Sequence, residues 1–263
     1  MRQITFYFTA ILLSAYMIKI ALKSLSLFSR QASFKPLGLL STLKYNNFAV
    51  YKSSEISNDL LITLSMNQDS QIFNSHEQLV ENLVKKNFLK SKEAIDAFLS
   101  LDRGIFNAYY LQEDETAYVD KPYSIGNEEK MTSPMMHAIA FDLLTDPIKR
   151  IIELNNSKTI HFLDVGTGSG YMSFLFHNLV SSLNKSESLS LEIHGIDIHD
   201  SFFKIIEKTR KALTDSKKLA QRENSKMTFR KDDFLSLIQR QEEQGKYHLI
   251  HVGAGISRAH FEQ

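Results

Sequence analysis

The stretch that most restricts the fold of this chain is FLDVGTGSGYMSF, residues 162–174. An apolar run meets an acid, then three glycines on alternate positions, then apolar residues again. That is a strand running into a turn with almost no side chain, followed by a helix. The neighbouring sequence repeats the alternation. Strand 159–165 precedes a helix from about Ser169 to Leu183, and strand 191–197 precedes one from about Ser201 to Leu213. Strand 226–231 precedes a short helix from about Phe234 to Gln241, and strand 247–252 comes last. Alternating strands and helices predict an α/β fold with a doubly wound, mostly parallel sheet covered on both faces.

In such sheets ligands sit beyond the carboxyl ends of the strands, which places a site at the glycine turn. Gly166, Gly168 and Gly170 permit positive φ and close backbone approach, and the following helix aims its amides at the same spot. Dinucleotides and S-adenosylmethionine both use this arrangement. A dinucleotide fold wants Gly-x-Gly-x-x-Gly; here that third position is Tyr171, and the glycine falls one residue early. Asp164, just before the turn, suits a cofactor that carries an ammonium group and would repel a phosphate. The spacing therefore favours S-adenosylmethionine over a nicotinamide cofactor. Asp197, ending the second strand, suits the two hydroxyls of a ribose, with helix capping as its alternative role. Asp233, after the third strand, suits an adenine amine, again with a cap as the alternative.

Composition narrows the chemistry further. The 263 residues contain no cysteine, which excludes disulfides and thiolate ligands or nucleophiles. Nine histidines are present, but none has His-x-x-x-His or His-Glu-x-x-His spacing, so no metal site is expected. A net charge of +1 indicates no nucleic-acid partner.

The first 71 residues stand apart as an N-terminal extension. Residues 4–18 carry no charge, and extending to Leu22 makes a marginal membrane anchor that includes Lys19. No acid occurs before Glu55, as in a transit peptide or signal-anchor. A mitochondrial or membrane-anchored location is the expectation this raises, against a cytoplasmic one from the resemblance below. After a polar linker, SHEQLVENLVKKNFL opens a helix with a capping-box pattern at Ser75 and Gln78, and a second short helix follows from Ser91. Residues 102–126 read as irregular, and a helix from Ser133 or Pro134 to about Leu144 follows.

Several stretches together resemble the protein-L-isoaspartate O-methyltransferase family. They are SHEQLVENLVKKNFL, YVDKPYSIGNEEKMTSPMMHA, LDVGTGSGY, GIDIH and YHLIHVGAG, in the family's order and spacing over about residues 72–260. The resemblance implies a Rossmann-like S-adenosylmethionine-dependent methyltransferase fold for 72–263. It implies a monomer that acts on proteins or peptides bearing isoaspartyl residues. In that repair reaction the freed α-carboxylate is methylated, and the ester leaves as a succinimide that can reopen to normal aspartate. A carboxylate is already ionised at neutral pH, so placement and exclusion of water are what the protein must supply.

The family's active-site serine falls on Thr132, with Ser133 as the alternative one position away and an N-cap as the other role for Thr132. Glu129, Lys130, Met131 and Thr132 match the segment that closes over the cofactor, and His137 a histidine near it, where a packed core histidine is the alternative. The resemblance assigns Asp164 to the methionine part, Asp197 and Ile198 to the ribose, and Asp233 and Phe234 to the adenine. It puts His251 and Gly253 near the substrate, unless they are simply strand-end residues. Met135, Asp232, Phe234 and His248 depart from the pattern. The chain also stops at Gln263, before the family's further strands, so the edge of strand 247–252 is expected to be unpaired. A truncated cofactor-binding protein without turnover is the second reading; an oxidoreductase is the third.

Overall fold

The computed structural model describes residues 8–10, 71–107, 117–127, 129–154, 158–185 and 188–253. A helical pair opens the domain: α1 (His76–Lys85) and α2 (Lys92–Ser100). Ser75 caps α1 by accepting the Gln78 amide, while the Gln78 side chain accepts the Asn74 amide. Ser91 caps α2 in the same way. The stretch expected to be irregular contains α3 (Arg103–Asn107) and β2 (Tyr123–Gly126), which forms a hairpin with β3 (Glu129–Met131).

Helix α4 (Pro134–Leu154) overruns its expected end at Leu144 by passing through Pro147. Proline costs one amide donor there, but Ala138, Phe141, Leu144 and Ile148 bury one continuous stripe across it. Then come β4 (Thr159–Val165), α5 (Tyr171–Leu183), β5 (Ser190–Asp197), α6 (Ser201–Asp215), β6 (Ser225–Lys231), α7 (Phe234–Ile238), a 3-10 turn (Gln241–Glu243) and β7 (Leu249–Val252). Helix α5 begins at Tyr171 rather than near Ser169 because Gly170 is left-handed, with φ +81°. Helix α7 ends at Ile238, short of the expected Gln241.

With Phe8–Ala10 as β1, the main sheet has the order β1-β7-β4-β5-β6, and every pairing is parallel. Strand β1 lies against the outer edge of β7. The expectation of an unpaired β7 edge is thereby corrected: residues 8–10 pair in parallel with Ile250, His251 and Val252. The rest of residues 4–22, where an anchor was expected, lies outside the described residues. Among the described residues no helix is long and apolar enough to cross a membrane.

Strand alternation sorts the side chains into two layers. Ile160 and Phe162 of β4, Leu191 and Ile193 of β5 and Leu249 of β7 enter the large core beneath α1, α2, α4, α5 and α6. The Phe162 and Phe176 rings stack there at 3.9 Å. Leu163, Val165, Ile196 and Ile250 face the other way, against Leu237 and Tyr247. Helix α5 is buried from Tyr171 to Val180 because it lies between the sheet and α2 and α4.

That burial sets a pH dependence. Desolvation drives the His177 imidazole of α5 down from 6.5 to about 4. The unfolded chain therefore binds the proton first, so this contribution is complete above the unfolded value and is lost as pH falls toward the folded one. Between pH 7 and pH 5 it amounts to about 2 kcal/mol. Urea denaturation should show wild type losing about 2 kcal/mol more over this interval than His177→Gln. Equal losses would contradict the assignment.

Candidate functional site

The glycine turn between β4 and α5 is held from both sides. The amides of Gly166 and Thr167 both donate to the Ile196 carbonyl at the end of β5, at 2.9 and 3.0 Å. Gly166, Gly168 and Gly170 have φ of +70°, +48° and +81°. L side chains rarely adopt such backbone, which is why glycine recurs on alternate positions here. A Cβ at Gly168 would also come within 2.9 Å of the Ile125 side chain.

Asp164 is 1% exposed and lies at the hub of the turn. One of its oxygens, Oδ2, accepts from Thr167 Oγ1 at 2.9 Å and Ser173 Oγ at 2.6 Å; the other, Oδ1, accepts from His251 Nδ1 at 2.7 Å. A carboxylate only accepts, so Nδ1 of His251 carries a proton. The opposite ring nitrogen, Nε2, is buried with no protein partner among the described residues, and His251 lines the pocket above the turn.

A second hub lies beneath the other wall. Arg103, 1% exposed, donates through one guanidinium nitrogen to His137 Nδ1 at 3.1 Å and through the other to the Thr132 carbonyl at 2.6 Å. Its guanidinium carbon lies 5.7 Å from the centre of the Tyr171 ring. Desolvation lowers Arg103 to about 10, which leaves it cationic at neutral pH. Desolvation, then the Arg103 charge, holds His137 well below the usual imidazole range. A neutral His137 accepting at Nδ1 carries its proton on Nε2.

The start of α4 gives Ser133 and Thr132 different surroundings. Ser133 Oγ accepts the Met136 amide at 3.4 Å, and Asp120 Oδ1 accepts the Met135 amide at 2.9 Å. Ser133 and Asp120 thus serve the helix start, and Thr132, whose carbonyl is held by Arg103, lines the pocket.

The pocket gathers Lys130, Met131, Thr132, His137, Asp164, Gly166 and Gly168 with His251 and Gly253. The other residues expected in the site stand around it. Gly170 starts α5. Asp197, 8% exposed, accepts the Gly168 amide on Oδ2 and the His199 amide on Oδ1, both at 3.0 Å. Its carboxylate bonds the glycine turn rather than capping α6, whose N-cap is Asp200. Ile198 is 55% exposed next to it. Glu129 is exposed and lies 3.7 Å from His199. Asp233 caps α7 by accepting the Ser236 amide and hydroxyl at 3.0 and 2.9 Å, the alternative role weighed for it above. Phe234 packs on the second face of the sheet.

Arg103, Thr167, Tyr171 and Ser173 are site residues that the sequence did not disclose. Arg103 falls in the stretch without period, and nothing local marks it as buried. Thr167 and Ser173 follow Asp164 by three and nine residues, a link made only once the turn folds back.

Arg103→Lys should lower stability by about 1–3 kcal/mol in urea denaturation, because a lysine has no planar fork for His137 and Thr132 together. Unchanged stability would show that the fork holds nothing.

Comparison with known proteins places this geometry. Residues 74–259 match the family model described as protein-L-isoaspartate(D-aspartate) O-methyltransferase. Protein-L-isoaspartate O-methyltransferase 2 of Arabidopsis thaliana is 27% identical over 222 residues, covering 82% of this chain and 62% of the relative. Protein-L-isoaspartate O-methyltransferase 1 of the same plant is 33% identical over 109 residues, 41% of this chain and 42% of the relative. The chain thus matches less than two thirds of the length of these relatives. A Plasmodium falciparum protein assigned as a protein-L-isoaspartate O-methyltransferase, solved with S-adenosyl-L-homocysteine, superposes with a TM-score of 0.52. It is 21% identical, covers 72% of this chain and 78% of its own, and shows the shared fold. With its family model spanning the helical pair, the hairpin, the glycine turn and the sheet, the chain belongs to the protein-L-isoaspartate(D-aspartate) O-methyltransferase family.

Proposed function

We propose that this chain methylates the free α-carboxylate of L-isoaspartyl residues in damaged proteins, using S-adenosylmethionine. The observation that carries the reading is one pocket holding both the glycine turn anchored by Asp164 and the Thr132 segment held by Arg103. The residues fit the cofactor on two counts. A side chain at Gly168 would fill the cradle, and the Nε2 of His251 is buried beside it without a protein partner among the described residues. The Plasmodium neighbour was solved with S-adenosyl-L-homocysteine, the demethylated product of the same cofactor.

When bound, S-adenosylmethionine supplies an activated methyl group and leaves as S-adenosylhomocysteine. Gly166 and Gly168 give it close backbone approach, and the Asp164 charge favours its ammonium group. Asp197 and Ile198 meet the ribose. The Thr132 hydroxyl donates to the substrate carboxylate and orients it, and His251 bounds the same space from β7. No strong base is required, because the attacking group is already an anion; orientation and dryness are the protein's contribution.

Purified full-length chain should transfer labelled methyl from S-adenosylmethionine to an isoaspartyl peptide and not to its aspartyl twin. Calorimetry should show saturable S-adenosylhomocysteine binding and none for NADH. Binding without transfer would mark a cofactor-binding protein without turnover; NADH binding alone would overturn the cofactor as well. Thr132→Val should lose about 10- to 100-fold in transfer, the value of a hydrogen bond to a charged group, with cofactor affinity near wild type. Thr132→Ser should keep most activity. Full activity in the valine variant would remove Thr132 from the substrate site.

A further inference from the structure

On the sheet face away from the pocket, two histidines and a glutamate meet across neighbouring strands. His161 of β4 pairs in register with Glu192 of β5, and His194 follows Glu192 by two residues. Strand alternation therefore points all three side chains the same way, into the layer of Leu163, Ile196 and Ile250. One atom from each of the three lies within 4.8 Å of the other two. His161 Nδ1 and His194 Nε2 each approach the same Glu192 oxygen, Oε2, at 3.4 Å.

That spacing is informative. A charge-assisted hydrogen bond between imidazolium and carboxylate closes to about 2.7–2.9 Å. A tetrahedral ion with bonds of about 2.0–2.2 Å holds its ligand atoms about 3.3–3.6 Å apart. The two contacts to Glu192 are long for direct bonds and fall on the tetrahedral edge. We propose that His161, Glu192 and His194 form a binding site for a first-row divalent cation, zinc above all, clasping β4 to β5.

The surroundings support ligation. His194 presents Nε2 to the cluster, while its Nδ1 lies 3.4 Å from the Thr228 hydroxyl of β6. A proton on Nδ1 shared with Thr228 leaves the Nε2 lone pair for a metal, the usual outer-shell arrangement for a ligating histidine. On the other side, the His248 ring stacks on His161 at 5.6 Å and 11° and accepts the His161 backbone amide at 3.1 Å on Nδ1. The cluster is not sealed: the side chains of His161, His194 and Glu192 are 24%, 12% and 38% exposed, leaving a route for the ion and for water as a further ligand. Two imidazoles and one carboxylate suit zinc better than the hard cations magnesium or calcium.

None of the three residues lines the methyl-transfer pocket, so this site and the proposed activity stand or fall separately. The three residues are not spaced along one helix. Glu192 and His194 sit at the strand interval, and His161 arrives only through sheet pairing.

The test is calorimetric titration of zinc chloride into full-length protein stripped with EDTA and dialysed. One saturable site, reversed by EDTA and accompanied by a higher melting temperature, is expected. Cobalt in place of zinc should give the intense visible bands of tetrahedral coordination, a readout that needs no variant. His161→Ala, His194→Ala and Glu192→Gln, each checked for folding by circular dichroism, should weaken zinc binding at least about 100-fold. Thr228→Val, an outer-shell change, should weaken it about 10-fold. Absence of saturable zinc binding in the wild type, a weak octahedral cobalt spectrum, or undiminished zinc affinity in folded His161→Ala and His194→Ala would overturn the proposal.

Discussion

The Asp164 carboxylate is the constraint on which the rest of the site depends. A buried charge with no partners would cost several kcal/mol, and its three bonds to Thr167, Ser173 and His251 offset that cost. Each of those bonds also positions something. Thr167 belongs to the turn, Ser173 to the first turns of α5, and His251 to the end of β7. One side chain thereby fixes the glycine turn, the helix behind it and the neighbouring strand relative to one another. Asp197 adds the link to β5 through the Gly168 amide.

The opposite wall rests on a second buried charge. Arg103 reaches from α3 to the Thr132 carbonyl and to His137, so the segment just ahead of α4 cannot drift from the core. With Ser133 and Asp120 satisfying the first amides of α4, Thr132 is left at the pocket rather than in the cap. The pocket thus lies between an anionic hub on the sheet and a cationic hub on the helices. The two hubs place a charge of each sign beside the same space, as the proposed transfer from a sulfonium cofactor to a carboxylate would need.

Much of this was legible in the sequence. The strand and glycine periodicity located β4, the turn and α5, because apolar alternation and left-handed positions are local demands. Gly166 and Gly168 are legible for the same reason, and Asp164 as the acid that ends an apolar strand. Helix α4 runs past Leu144, the end expected from the sequence, because the burial of Ile148, a tertiary effect, outweighs the local penalty of Pro147. Arg103 was invisible because its partners, Thr132 and His137, are remote in the chain. The pairing of β1 with β7 was missed because a three-residue strand carries no periodic signal. The His161, Glu192 and His194 cluster was missed because a sheet, and not a helix, assembles it.

The most direct test of this account is calorimetric titration of S-adenosylhomocysteine into wild type and Asp164→Asn, with thermal melting alongside. The exchange keeps the shape but removes the charge and replaces one acceptor oxygen with an amide donor. Each charge-assisted bond contributes about 1.5–3 kcal/mol, so affinity should fall at least about 10-fold and the melting temperature should drop with it. Wild-type affinity and melting in Asp164→Asn would contradict the claim that this carboxylate builds the site.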